Sequence, residues 1–159
     1  MPKRDIRPTG PVSRLASAAA ALAIVAAWTA APADQDPAFI HEPDSPDLEW
    51  APCPDFMPDG CRLAILQGDP AQPNADVFFL LPGNTTAPRH WHTSAERMVL
   101  VRGEMEVDYD DQDPVVLRPG TYAYGPARRA HATHCISDED CILFIAFEEP
   151  VDAHATRDH

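Results

Sequence analysis

Basic residues are scarce in this sequence. The chain has 159 residues, with 12 Lys and Arg against 25 Asp and Glu, and its formal net charge is −13. A strongly acidic surface repels the phosphates of nucleic acids and the headgroups of anionic lipids. We therefore expect no nucleic-acid partner and no anionic membrane surface, and we interpret the acidity as a means of staying soluble.

Three structural patterns are also missing. No segment shows the apolar spacing of a convincing amphipathic helix. No self-similarity recurs at a period of about 20 to 50 residues, which excludes a solenoid. None of the four cysteines belongs to a Cys-x2-Cys pair, which disfavours a thiolate metal cluster. The 126 residues that follow position 33 are enough for one domain, and we expect a single small domain.

The N-terminal segment has the composition of a targeting sequence. Residues 1–33 contain four basic residues, an Ala-rich apolar run over 15–29 and the small-residue site Ala31-Pro32-Ala33. This order predicts a secretory signal peptide cleaved before Asp34, and hence a periplasmic or secreted protein without stable membrane association after cleavage. The alternative is an uncleaved anchor, since residues 15–33 nearly reach the ~20 residues that a membrane span needs.

Beyond the signal, the chain divides by proline content and pattern. Residues 34–60 contain six prolines, which exclude a regular helix or a central strand and predict an extended arm. Residues 150–159 are polar, and we expect a disordered tail. The intervening region 61–149 alternates short apolar runs with turns and predicts a double-sheet jelly-roll barrel. The predicted strands are 62–67, 76–81, 89–92, 97–102, 104–109, 115–117, 121–124, 129–134 and 141–147.

Cysteine spacing predicts two local disulfides, because thiols in an exported protein are usually paired. Cys53 and Cys61 flank a proline-containing loop, and Cys135 and Cys141 flank a short acidic segment. That segment has the composition of a hairpin turn. Opposite residues of an antiparallel pair come close enough for a disulfide, so we expect the second bridge to link two paired strands.

The pattern with the most chemical content is a group of metal-ligand residues. His90 and His92 are two apart, so in a strand both side chains lie on one face while Trp91 points away. Glu96 follows after a short turn, and His131 begins another run with strand composition. Three imidazoles and one carboxylate suit a first-row divalent metal with open coordination positions.

These residues resemble the two motifs of the cupin superfamily. The first motif is matched by Gly83, His90, His92, Glu96 and Gly103, with one inserted residue. The second is matched by Gly120, Pro126 and His131, at the motif's offsets. The second motif departs at two positions. Arg128 stands where the motif has Gly, which takes a positive φ without cost, and Cys135 stands where the motif has Asn.

The resemblance implies a cupin double-stranded β-helix and one divalent transition metal bound by His90, His92, Glu96 and His131. Iron, manganese, nickel and zinc all suit this ligand set. A degenerate cupin that keeps the residues without the ion is the alternative. The sequence leaves open the metal, the substrate and the formation of a homodimer.

Strand parity predicts which side chains line the pocket. If Glu96 faces inward, Met98 and Leu100 do as well, and on the next strand Met105, Val107 and Tyr109 face inward. Tyr122 and Tyr124 share one face and are candidates for a phenol that orients substrate or acts as a general acid, with packing as the simpler interpretation. Glu96 is the third catalytic candidate, as a group that takes up a proton.

Three functional classes are compatible with this pattern. The resemblance implies a metal-dependent enzyme acting on a small molecule, with an oxygenase or dioxygenase as the leading hypothesis and isomerases and lyases as relatives. The alternative is a sensor-like cupin module that binds a metal or small ligand without turnover. A secreted structural barrel is the third class, and the complete ligand set argues against it.

Overall fold

The computed structural model describes residues 37–156, and the predicted signal peptide lies outside this range. The described part is all β, without a helix. All nine predicted strands are present, with ends shifted by no more than three residues, and two further strands lie before and after them in the described range. The strands are β1 Trp50–Pro52, β2 Arg62–Gln67, β3 Asp76–Leu81, β4 Thr86–Trp91, β5 Glu96–Arg102, β6 Met105–Tyr109, β7 Val115–Leu117, β8 Tyr122–Gly125, β9 His131–Cys135, β10 Cys141–Phe147 and β11 His154–Ala155.

The strands form two antiparallel sheets. The six-stranded sheet has the order β1-β2-β3-β10-β5-β8, and the five-stranded sheet has the order β11-β4-β9-β6-β7. Alternate residues of both sheets are buried in one core, which includes Val77, Leu100, Met105 and Leu143. Two sheets that each bury one face against the other give the predicted jelly-roll architecture.

The N-terminal arm contributes more than an extended connection. Its last part forms β1, which pairs with β2 at the edge of the six-stranded sheet, where prolines are tolerated. Leu48 and Trp50 pack with Phe78 and Leu80 in a second apolar cluster, distinct from the core between the sheets. This cluster consists of residues whose parity turns them away from the main core.

The expectation of a disordered tail over 150–159 is wrong for the part that the structure describes. β11 pairs with β4 in the register His154 with Trp91 and Ala155 with His90. The rings of Trp91 and His154 stack at 4.2 Å, and the Thr156 hydroxyl donates to the carbonyl of Arg89. These contacts with the edge of β4 order a segment whose own composition carries no strand signal.

Both predicted disulfides are present, Cys53–Cys61 and Cys135–Cys141. The first closes the loop between the paired strands β1 and β2. The predicted hairpin around the second is wrong, because β9 belongs to the five-stranded sheet and β10 to the six-stranded sheet. The Cys135–Cys141 bridge therefore links the two sheets.

No helix among residues 37–156 is long and apolar enough to cross a membrane.

Candidate metal centre

Three histidines converge between the sheets. His90 lies on β4 and His131 on β9, and the two are direct partners in the antiparallel register. His92 directly follows β4. All three side chains are buried, and one ring nitrogen of each lies within 4.8 Å of the others. The strand that carries His90 thus places two imidazoles on the inner face, and its partner strand supplies the third.

Each of these rings is oriented by a backbone carbonyl. The Nδ1 atom of His90 lies 2.7 Å from the carbonyl oxygen of Pro88, and that of His131 lies 3.2 Å from the carbonyl of Arg129. The Nδ1 atom of His92 bonds the carbonyl of Asp152. A carbonyl only accepts, so Nδ1 carries a proton in each ring, and Nε2 is the nitrogen left to ligate a metal. This is the arrangement of a metal-binding imidazole with its outer partner in place.

The charge state of the rings also suits metal binding. Burial, followed by the neighbouring His92 ring, lowers the pKa of His90 to about 4. Burial, followed by His90 and His92, lowers the pKa of His131 to about 3. Both rings are therefore neutral at physiological pH, as ligation requires.

Glu96 reaches the histidines from the opposite sheet. It is the first residue of β5, and its side chain is buried. Its Oε1 atom lies 3.5 Å from Nε2 of His92, and its Oε2 atom lies 4.0 Å from Nε2 of His131. Burial raises the pKa of Glu96, against the opposing effect of His92. A carboxyl beside two imidazole Nε2 atoms gives a nitrogen and oxygen donor set that fits a divalent first-row ion.

These four groups line a cavity of about 150 Å³ between the sheets. Its remaining walls are mostly apolar. Residues of the loop closed by Cys53 and Cys61 line it, as do Val151 and Asp152 of the C-terminal segment. The apolar residues from the strands are Leu63, Phe79, Met98, Val107, Leu143, Ile145 and Phe147.

Two further polar side chains line the cavity. Tyr109 ends β6 on the inward face that parity predicts, and its ring lies 4.7 Å from that of His131. Burial, followed by the nearby Glu96 carboxylate, raises the pKa of Tyr109, so the phenol keeps its proton. Thr133 lies on β9 two residues after His131. Strand parity predicted that Tyr109 lines the pocket, but sequence reasoning assigned neither residue a chemical role, although inward parity with His131 was a usable signal for Thr133.

Gly125 explains how Tyr109 and Glu96 fit next to each other. A Cβ atom at this position would lie 2.4 Å from the Tyr109 hydroxyl oxygen and 3.0 Å from Oε2 of Glu96. Any other residue would displace one of these groups. The glycine at the end of β8 therefore makes the space in which the phenol approaches the carboxyl.

The assignment of Tyr122 and Tyr124 to the site is not supported by their placement. Both lie on β8 with side chains 61% and 54% exposed, and neither lines the cavity. Gly125 at the end of this strand is buried. Successive residues of a strand point to opposite faces, so Ala123 shares the inward face with Gly125. The phenol at the site is Tyr109 instead.

Comparison with known proteins agrees with this architecture. The family model described as "Cupin domain" matches residues 77–147, which include all four predicted ligands. A comparison with curated protein sequences finds no match.

Solved structures share the fold. A DMSP lyase from Ruegeria pomeroyi DSS-3 aligns with a TM-score of 0.59 and 19% identity, over 69% of this chain and 61% of the lyase. A polyketide cyclase from Streptomyces resistomycificus aligns with a TM-score of 0.61 and 16% identity, over 76% of this chain and 88% of the cyclase. An oxalate decarboxylase from Lactobacillus farciminis aligns with a TM-score of 0.54 and 19% identity, over 66% of this chain and 32% of the decarboxylase.

The chain spans less than two-thirds of the lyase, and identities this low establish the fold alone. The matched domain contains the three clustered histidines, which lie between the two sheets of the barrel. The described barrel has the cupin fold, and its residues 77–147 match the cupin domain.

Proposed function

We propose that this chain is a metal-dependent enzyme that acts on a small molecule in the barrel cavity. One observation carries the proposal: three buried imidazoles have Nδ1 bonded to backbone carbonyls, which leaves their three Nε2 atoms available as ligands at the wall of one cavity. His90, His92, His131 and Glu96 would hold the ion. A bound divalent ion supplies Lewis-acid chemistry and, with iron or manganese, redox chemistry.

The side chains of the protein supply binding and proton transfer. The apolar walls exclude bulk water, which strengthens electrostatic interactions inside the cavity. Glu96 takes up and returns a proton when its carboxylate is released from the ion. The Tyr109 phenol donates a hydrogen bond in its neutral form. The three solved structures named above are enzymes, which supports catalysis by analogy of fold.

Within this class we favour an oxygenase. The cavity is mainly apolar, so it can admit dioxygen, an apolar molecule, together with a small substrate. Isomerase and lyase reactions would use the same acid and base groups without consuming oxygen. Oxygen uptake therefore separates these reaction classes.

The test measures metal content and oxygen uptake together. The full chain is loaded with Fe(II), Mn(II), Ni(II) or Zn(II), analysed for bound metal and assayed with an oxygen electrode against small phenols and enols. His131→Ala should lose most of the metal. The matched control is His134→Ala, which removes the same side chain from the opposite face of β9 and should keep one ion per chain.

Each outcome decides between the candidates. Stoichiometric metal in the His131→Ala variant would contradict the assigned ligands. Bound metal without oxygen uptake but with conversion of a substrate would favour a lyase or isomerase. Bound metal without any turnover would favour the non-catalytic binding module.

We also infer export to the periplasm or the cell exterior. The two disulfides support this location, because such bonds persist in oxidising compartments. N-terminal sequencing of protein recovered from the periplasm or medium should begin at Asp34. A chain found only in the cytoplasm, with an intact N-terminus, would contradict it.

A further inference from the structure

Two buried hydroxyls in the cavity lack a hydrogen-bond partner among residues 37–156. They are the phenol of Tyr109 and the hydroxyl of Thr133. Nearly all buried polar side chains in folded proteins are hydrogen-bonded. The Thr133 residue is only 7% exposed, and both residues line the cavity that also contains the histidines. A pair of free donors at this position is suited to a ligand with oxygen acceptors.

The two donors belong to neighbouring strands. In the pairing of β6 with β9, Tyr109 lies opposite His131 and Val107 lies opposite Thr133. Tyr109 and Thr133 are therefore diagonal neighbours on one inner face, and each lies next to His131. An oxygen substituent held near His131 is within the region that both donors face.

The size of the cavity suits a ligand with a single ring. Its volume is about 150 Å³, and an apolar cavity of roughly that volume accommodates benzene. Pockets for drug-sized ligands measure roughly 300–1,000 Å³, so this cavity matches a smaller molecule. Phe79 and Phe147 provide aromatic walls against which a ring can pack.

The charges around the cavity disfavour an anion. No Lys or Arg is present among the described residues that line it, whereas Glu96 and Asp152 are. These two carboxylates balance the double charge of a divalent ion. An anionic ligand would then leave a net negative charge inside a mostly apolar cavity, which is unfavourable.

We propose that the cavity binds an uncharged monocyclic phenol, whose oxygen substituents accept hydrogen bonds from the Tyr109 and Thr133 hydroxyls while its ring packs against the apolar walls. The inference rests on the proposed function, because it names the substrate class of that site. Tyr109 and Thr133 become specificity-determining residues.

The experiment compares three probes with the same ring. Binding of phenol, toluene and benzoate to the Zn(II)-loaded full chain is measured by calorimetry. Phenol should bind about ten-fold more tightly than benzoate, which carries the charge, and several-fold more tightly than toluene, which lacks the acceptor.

Isosteric variants test the two donors. Tyr109→Phe and Thr133→Val each should weaken phenol binding by about three- to ten-fold and leave toluene binding within about two-fold of the parent. Tyr122→Phe is the matched control, since it makes the same change on the exposed face of β8. Thermal unfolding of each variant verifies folding, and the loss of an unpaired buried hydroxyl should not lower the midpoint.

Benzoate binding as tight as phenol binding would overturn the inference, and so would unchanged phenol affinity in both Tyr109→Phe and Thr133→Val. Elemental analysis of the same samples distinguishes the two proposals. Stoichiometric metal without a preference for phenol contradicts the ligand class alone. A preference for phenol that depends on Tyr109 and Thr133 in protein that retains no metal supports the ligand class and contradicts the metal-dependent enzyme.

Discussion

The ring of His92 is oriented by the carbonyl of Asp152, a residue 60 positions later in the chain. The side chain of Asp152 also accepts a hydrogen bond from the Thr93 amide at 2.8 Å. Burial would raise the pKa of Asp152, but hydrogen bonds from Thr93 and His154 outweigh it and keep that pKa below its usual value. The C-terminal segment is therefore part of the support of the candidate metal centre.

Deleting this segment should weaken metal binding. A chain that ends at Glu149 lacks the acceptor for Nδ1 of His92 and also lacks β11. Loss of an outer partner of a metal-binding histidine typically lowers metal affinity by about 10- to 100-fold. Competition with a chelator of known affinity measures the effect for Zn(II).

Two controls separate the acceptor from the rest of the segment. A chain that ends at Thr156 keeps β11 and the contacts of Asp152 with His92 and Thr93, and it should bind metal like the parent. Asp152→Ala keeps the backbone carbonyl and should lose much less affinity than the deletion. Equal affinity of the chain ending at Glu149 and the parent would contradict the supporting role.

The stability of the metal-free protein should depend on pH in a defined window. In the unfolded chain, His90 and His131 take up protons at their ordinary pKa of 6.5, whereas in the folded chain they do so at about 4 and about 3. Between these values the unfolded state binds more protons, so the free energy of unfolding falls as the pH drops from about 6.5 to about 4. The raised pKa of Glu96 acts in the opposite direction, but it is one group against two.

Urea unfolding at pH 7 and pH 5 after chelator treatment measures this dependence. His131→Leu removes one of the two titrating rings and should reduce the difference between the two pH values. His134→Ala should leave the difference unchanged. A metal-free protein equally stable at both pH values would contradict the predicted neutral, buried state of the rings.

Each disulfide should stabilise the fold without holding the metal. The bridged cysteines are eight and six residues apart in sequence, and loops of this size correspond to about 2–3 kcal/mol. Cys53→Ala/Cys61→Ala and Cys135→Ala/Cys141→Ala should each lower the free energy of unfolding by about that amount. Both variants should retain one ion per chain in elemental analysis, and loss of metal in either would contradict the prediction.

Strand content and inward parity could be predicted because both depend on local pattern. Glu96, Met98 and Leu100 alternate inward on β5, and Met105 and Val107 do so on β6, as predicted. The histidine cluster was accessible for the same reason, since His90 and His92 share a face and the second motif supplies His131. A hydrogen bond to a segment that is distant in the sequence leaves no such local pattern. The contact of Asp152 with His92 and the order of β11 arise only when the tail meets β4.

The error at Tyr122 and Tyr124 has a specific physical cause. Parity within a short strand fixes which residues share a face, but it does not decide which face is inward. On β8 that choice is set by the end of the strand, where Gly125 lies against Tyr109 and Glu96. The hairpin predicted around Cys135 and Cys141 failed similarly, because a short connection in a jelly roll can cross between sheets.

Arg128 occupies a backbone conformation that favours glycine. Its φ is 63°, in the left-handed region, and it stands where the cupin motif has Gly. The residue follows Pro126 in the turn that leads to His131, and its amide donates to the carbonyl of His92 at 2.7 Å. The turn therefore keeps the glycine geometry although the side chain is that of arginine.

Arg128→Gly should stabilise the protein. A side chain in the left-handed region costs about 1–2 kcal/mol, and the extra freedom of glycine in the unfolded chain offsets about 0.5–1 kcal/mol of the gain. We expect the free energy of unfolding to rise by about 0.5–1 kcal/mol in urea titrations, with one ion still bound per chain. Arg128→Ala is the matched control, because it removes the same charge and length but keeps Cβ, and its stability should equal that of the parent. If Arg128→Gly is no more stable than Arg128→Ala, the turn before His131 is not strained by its side chain.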